Sequence, residues 1–169
     1  MRVLGIDPGL GTIGFGLLEV DSSGCQAVDW GVITTTKGES DSVRLEELYT
    51  DMLALMHHTQ PDVVSIEKIF YFRNVTTMVP VCQARGVILL AIQQANKETQ
   101  IPVFEYTPMQ MKQAITGYGK AKKREVQDMI QTLLELEKAP SPDDAADGLG
   151  LAYCHFTSHV RTSQMMGTV

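Results

Sequence analysis

A strand pattern that returns after a helical one constrains this chain more than any other feature in it. Val3-Leu4-Gly5-Ile6-Asp7 reads as a short apolar strand, and Pro8-Gly9 forces a turn after it. Residues 12–20 and 25–35 read as two further strands, joined by the turn Asp21-Ser22-Ser23-Gly24. From 42 to 58 the period changes: Val43, Leu45, Leu48, Met52, Leu53 and Met56 recur at helical spacing. Val63-Val64-Ser65-Ile66-Glu67 is then a strand again. Three strands with short turns make an antiparallel meander, and a strand that comes back after a helix must join it in a mixed sheet with helices packed against it.

The alternation continues. Residues 74–97 read as a long helix, which Pro80 kinks unless it sits in the first turns. Residues 102–106 give a fifth strand. Thr107 is placed to cap a helix that starts at Pro108 and breaks at Gly117-Tyr118-Gly119. Residues 121–137 form an amphipathic helix, and Pro140-Ser141-Pro142 separates it from a last one running from Asp143 to about His159. The expected class is α/β, with a five-stranded mixed sheet flanked by helices. With 169 residues and no internal repeat, 1–160 is read as one domain and 161–169 as a short, disordered tail. No apolar run reaches the roughly 18 residues of a membrane span. The N-terminus has no apolar stretch of signal-peptide length. Cys25, Cys82 and Cys154 are scattered and odd in number, which suits a reducing compartment. A cytoplasmic protein without a membrane partner is expected.

Four acids sit where a structural role is hard to find. Asp7 ends one apolar strand and Glu67 ends another. Asp144 and Asp147 stand at i and i+3, on one helical face near a helix start. Strand-end carboxylates fall on one edge of a sheet, where α/β ligand sites concentrate. A helix beginning at that edge brings Asp144 and Asp147 to them. Carboxylates that converge without matching bases repel one another and call for a cation. Hard oxygen donors select Mg²⁺ or Mn²⁺. Two such ions per site activate a water and stabilise the leaving oxygen in phosphodiester cleavage. The competing reading is that Asp143 and Asp144 cap the last helix, where acids suit the positive end of the dipole. For Asp143 that reading is preferred; for Asp7 and Glu67 it is weaker, since neither begins an evident helix.

The formal net charge of -6 argues at first against a polyanionic partner, but it hides an asymmetry. Residues 68–124 carry nine basic residues against two acidic ones, a balance of +7. The flanking segments, 1–67 and 125–169, stand at -8 and -5. The central block is a candidate polyanion-binding face, with a solvated helical surface as the alternative.

The motifs GIDPG at 5–9, SIEKIF at 65–70, QARGV at 83–87, VFEYTPMQMKQAITGYG at 103–119 and DDAADGL at 143–149 resemble, in order, the bacterial RuvC family of Holliday junction endonucleases. GIDPG alone also resembles the phosphate loop of sugar-kinase and actin-type ATPases, but those need two domains to enclose a nucleotide. The RuvC resemblance implies a ribonuclease-H-like fold and a homodimer that nicks four-way junction DNA symmetrically, leaving 5′-phosphate ends. It implies divalent-metal catalysis by Asp7, Glu67, Asp144 and Asp147, and cooperation with the RuvAB branch-migration machinery. Two other readings stay open: a junction-binding module that cuts weakly or not at all, and a ribonuclease-H-like nuclease acting on RNA–DNA hybrids. The chain departs from the family where Asp147-Gly148-Leu149-Gly150 replaces the usual Asp-Ala-Leu-Ala. Each glycine is expected to weaken that helix by roughly 1 kcal/mol relative to Ala, loosening the placement of Asp147.

The resemblance puts base stacking on Phe70, and Lys112 and Lys123 near the scissile phosphate, with Lys123 among the catalytic residues. Arg73 and Asn74 are read as holding the adjacent backbone, and Lys120, Lys122 and Arg124 as extending the basic patch. Basic residues at a helix N-terminus oppose the dipole, so a phosphate partner accounts for them better than a solvated surface does. Arg85 is read equally as a DNA contact or as the partner of a carboxylate. His155 and His159, at i and i+4 beside Cys154, lack the further ligands of a zinc site and are assigned to a partly buried helix face.

Overall fold

The structure is a computed structural model that describes residues 1–69, 75–95 and 100–160. Its strands are β1 (Arg2–Asp7), β2 (Thr12–Val20), β3 (Cys25–Thr34), β4 (Val63–Glu67) and β5 (Val103–Tyr106). Its helices are α1 (Asp41–Thr59), α2 (Val75–Ala95), α3 (Pro108–Thr116), α4 (Lys123–Leu133) and α5 (Asp143–His155). A π-helical turn, Phe156–Val160, extends α5. The sheet order is β3-β2-β1-β4-β5. β1, β2 and β3 pair antiparallel, while β4 pairs parallel with β1 and β5 parallel with β4. This is the ribonuclease-H-like mixed sheet expected from the order of elements.

Two apolar layers cover the two faces. On one, Leu4, Ile6, Ile13, Leu17, Val64 and Ile66 meet Leu48 and Met52 of α1 and Ala84, Ile88 and Ile92 of α2. On the other, Val3, Leu18 and Val63 meet Met111 and Ile115 of α3, Val126 and Ile130 of α4, and Leu149 and Leu151 of α5. β1 and β4 are central strands buried on both faces, which is why they are largely apolar, with only Ser65 intervening in β4.

Local chemistry sets most boundaries. Thr107 closes a capping box with Gln110, each side chain accepting the other's backbone N–H. Gly117 ends α3 in the left-handed region at φ 74°, donating its N–H to the Gln113 carbonyl, so its conformational freedom serves the cap. α4 stops short of the expected 137 because Glu135 turns left-handed at φ 52°. Pro80 lies inside α2, in its second turn, and the helix begins upstream at Val75 and runs through it.

One expectation needs correcting. Met78–Ala95 of α2 is 18 residues long with a mean hydropathy of 1.2, enough by length and composition to span a membrane. Its Ala84, Ile88, Ala91 and Ile92 are buried in the layer shared with α1 and the sheet, and Arg85 lies within it. One face of the helix therefore belongs to the core of this fold. The tail 161–169 lies outside the described residues.

Candidate active site

The site follows from strand alternation. Ile6 and Ile66 are register partners in the parallel β1–β4 pair, and both enter the layer with α1 and α2. Successive side chains point to opposite faces, so Asp7 and Glu67, one residue further on, project toward α5. Adjacent strands run about 4.8 Å apart, which makes Asp7 and Glu67 neighbours at the end of two central strands. Gly5 and Ser65 precede them on the same face, and Gly14 and Gly16 of β2 pair with Asp7 and Gly5.

These small residues form the floor on which α5 lies. A Cβ on Gly5 would overlap the Gly148 carbonyl, one on Gly14 the Asp144 carbonyl, and one on Gly16 the Leu149 backbone. A Cβ on Gly148 would come within 2.5 Å of the Phe15 carbonyl carbon. Ser65 Oγ donates to the Leu151 carbonyl at 2.7 Å, fixing the helix from β4. The helix backbone therefore rests on the sheet backbone, and its N-terminal turn delivers Asp144 and Asp147 over Asp7 and Glu67. Gly150 faces the other way, where a Cβ would come within 2.7 Å of Ile115 Cδ1 on α3. Glycine at 148 and 150 was expected to loosen Asp147. Gly148 is small because α5 lies there against the sheet backbone, and Gly150 because the Ile115 and Met111 side chains of α3 press on it.

The electrostatics are those of crowded carboxylates. Asp7 is pushed up to about 8, first by burial and then by the charges of Glu67, Asp147 and Asp144. Glu67 is raised to about 7 by burial and by Asp147, with Lys112 and Lys123 opposing. Asp147 is raised to about 6, chiefly by burial, against the pull of Lys123 and Lys112. Lys112 and Lys123, which the family resemblance places near the scissile phosphate, are the lysines whose charge reaches these acids.

Lys123 opens α4, and its Nζ donates to Asp143 Oδ2 at 2.6 Å. Asp143 stands in the first turn of α5, where an acid suits the helix dipole as expected, with Pro142 at the N-cap position; its carboxylate takes backbone N–H groups of that turn and also receives Lys123. No pattern of spacing signals this pair, which joins residues twenty apart. Lys120, Lys122 and Arg124 are exposed on the same segment. Arg124 only loosely approaches Asp128, at 3.9 Å. Arg85 donates to Glu105 across α2 and β5, and its side chain is only 20% exposed, which favours the carboxylate-partner reading over a DNA contact. Phe70, Arg73 and Asn74 lie outside the described residues. His155 is buried, its Nδ1 within 2.9 Å of the Tyr106 hydroxyl, and its ring stacks on His159 at 5.0 Å. Both histidines belong to a packed aromatic cluster with Phe104.

A family model described as crossover junction endodeoxyribonuclease RuvC matches residues 3–155. The chain belongs to the RuvC family. RuvC of Thermomicrobium roseum is 47% identical over 165 residues, covering 98% of each chain. RuvC of Brevibacillus brevis is 47% identical over 155 residues, 92% of this chain and 91% of its own. A solved structure of Thermus thermophilus RuvC in complex with a Holliday junction substrate superposes with a TM-score of 0.81 at 31% identity, over 99% of this chain and 98% of that one. The yeast mitochondrial resolvase Ydc2 shares the fold, with a TM-score of 0.68 over 97% of this chain and 83% of that one, at 15% identity.

Among the described residues, no three His, Cys, Asp or Glu side chains are drawn together tightly enough to enclose an ion as they stand. Burial first, and the repulsion of like charges after it, raise the pKa values of Asp7, Glu67 and Asp147. The donor set still fits a hard divalent cation. It is all carboxylate oxygen, it is coupled through one charge cluster, and a positive ion among these acids would relieve the repulsion that holds protons on them. The glycine floor beneath α5 was legible in principle, because Gly5, Gly14 and Gly16 interrupt otherwise apolar strands, a mark of close backbone approach.

Proposed function

We propose that this RuvC-family chain is a Holliday junction resolvase, a homodimeric endonuclease that makes paired nicks in four-way DNA junctions and leaves 5′-phosphate ends. The observation that carries the proposal is the convergence of Asp7 and Glu67, from adjacent parallel strands, with Asp144 and Asp147 on the helix packed over them. Binding DNA gains nothing from four acids, whereas hydrolysing it with Mg²⁺ or Mn²⁺ requires such a set. In this reading the four carboxylates hold the metal, two ions per site. Such ions supply Lewis-acid chemistry, activating water and stabilising charge on the leaving oxygen.

The chain's own residues do the rest. Lys112 and Lys123 orient the scissile phosphate and offset its growing negative charge. Lys120, Lys122 and Arg124 grip the backbone on either side. Phe70 stacks on an unpaired base, and Arg73 and Asn74 hold the strand next to it. The homodimer finds support in α2, which leaves Val79 and Leu90 about half exposed. Val79, Cys82, Gly86 and Leu90 form one exposed stripe, suited to close packing against a second copy. The reading extends to work in the cytoplasm with the RuvAB complex. The test is Asp7→Asn on a synthetic four-way junction with Mg²⁺, beside duplex and RNA–DNA hybrid controls. The variant should bind the junction and fail to cut it. Cleavage at the parental rate would end the metal-site reading, and preference for the hybrid would end the substrate reading.

A further inference from the structure

The Lys123–Asp143 pair is poorly explained as a stabilising contact. The two side chains are 65% and 38% exposed, and exposed ion pairs contribute little to folding. Its position is more informative. Lys123 is the first residue of α4, where a cation opposes the helix dipole, so nothing in its own helix draws the ammonium toward the acids. Asp143 is the first residue of α5, and the next residue is Asp144, which rests on Gly14 of the sheet. The carboxylate that receives Lys123 is thus attached to the same rigid turn that carries the acidic cluster.

We propose that Asp143 is a positioning residue for catalysis, holding the Lys123 ammonium at the acidic cluster in readiness for the scissile phosphate. The inference rests on the nuclease reading above. An ammonium has three N–H bonds. The bond to Asp143 uses one and leaves two for phosphate oxygens. Lys123 already acts electrostatically on Asp7, Glu67 and Asp147, so the held position lies within reach of the reacting centre. A charge fixed in advance costs no reorganisation when the transition state forms, whereas a free lysine must give up its rotamers at that moment. Asp143 itself touches neither substrate nor metal in this scheme.

The experiment is a double-mutant cycle in the full-length protein, read as single-turnover cleavage of a four-way junction with Mg²⁺. Asp143→Asn keeps size and leaves the first turn of α5 intact. It should slow cleavage about tenfold, equivalent to about 1.4 kcal/mol of transition-state stabilisation, with junction affinity and melting temperature unchanged. Asp143→Glu should restore most of the rate. In a Lys123→Ala background, Asp143→Asn should have no further effect. Three outcomes would overturn the inference: a parental rate for Asp143→Asn; a tenfold loss that persists without Lys123, which would make Asp143 an independent ligand; or a parental rate for Lys123→Ala. The nuclease reading is judged separately, by Asp7→Asn in the same assay. Loss of cutting there, together with any of those three results, would leave that reading standing without this one.

Discussion

Gly14 of β2 lies directly beneath Asp144 of α5, so close that a Cβ on Gly14 would occupy the space of the Asp144 carbonyl oxygen. Gly14 is also the register partner of Asp7. One backbone position therefore spaces two of the four acids. Gly14→Ala should force the first turn of α5 away from the sheet, because the obstacle is backbone and has no rotamer to adopt. Overpacking of this kind costs typically 1–3 kcal/mol. The expected result is a lower melting temperature with junction cleavage reduced by more than the loss of folded protein explains. Cleavage in proportion to folded protein would show that the spacing of Asp7 and Asp144 is not critical.

The raised carboxylate pKa values make a signed prediction about stability. Asp7, Glu67 and Asp147 titrate near 8, 7 and 6 in the folded protein, above their ordinary values of 3.8 to 4.5. The folded state then binds more protons than the unfolded chain between those limits. Stability from these groups is complete below about pH 4 and is lost as pH rises through 6, 7 and 8. In chelator, melting temperature should carry a falling contribution over pH 4–8, levelling off above it. Added Mg²⁺ or Mn²⁺ should restore more stability at pH 8.5 than at pH 6, since bound carboxylates must be deprotonated. Thermal melts at matched ionic strength, with Ca²⁺-free buffers, measure both. Equal metal stabilisation at the two pH values would mean that these acids do not hold the ion.

Gly148 gives a prediction opposite in sign to helix propensity. Replacing a mid-helix glycine with alanine ordinarily gains roughly 1 kcal/mol. Here the new methyl would meet the Phe15 backbone at 2.5 Å and Gly16 N at 2.8 Å. Gly148→Ala should therefore lower the melting temperature and impair cleavage, although it restores the residue usual at this place in the RuvC family. A more stable, fully active variant would mean that α5 can lift from the sheet at little cost.

That case shows where sequence reading succeeds and where it stops. The strands were legible because β1 and β4 are buried on both sides and read as largely apolar runs, while α1 reads at helical period. The register that makes Asp7 and Glu67 neighbours follows from two strands each ending in an acid. Propensity misread Gly148, because a residue's cost in an isolated helix says nothing about a sheet pressed against it. It also missed Asp143, whose partner Lys123 lies on another helix, twenty residues away. Arg85 was balanced between DNA and a carboxylate, and only the proximity of β5, bringing Glu105 across, tips it.

The outward stripe of α2 supplies the last prediction. Val79 and Leu90 are 48% and 51% exposed on a helix whose other side is buried, and Gly86 between them has open space where a Cβ would stand. Residues at 79, 82, 86 and 90 repeat every three or four positions, which keeps them on one face. A glycine in the middle of such a stripe lets a second helix approach closely, and leucine and valine at its ends give it apolar area to bury. Leu90→Glu adds a charge that a homodimer would have to bury unpaired, which dissociated monomers avoid. Sedimentation should show a dimer for the parent and a monomer for the variant, with little change in secondary structure. Each monomer keeps its own acids, so the variant should still nick a junction weakly, but the two nicks should become uncoupled in time. A variant that stays dimeric would move the interface to another face.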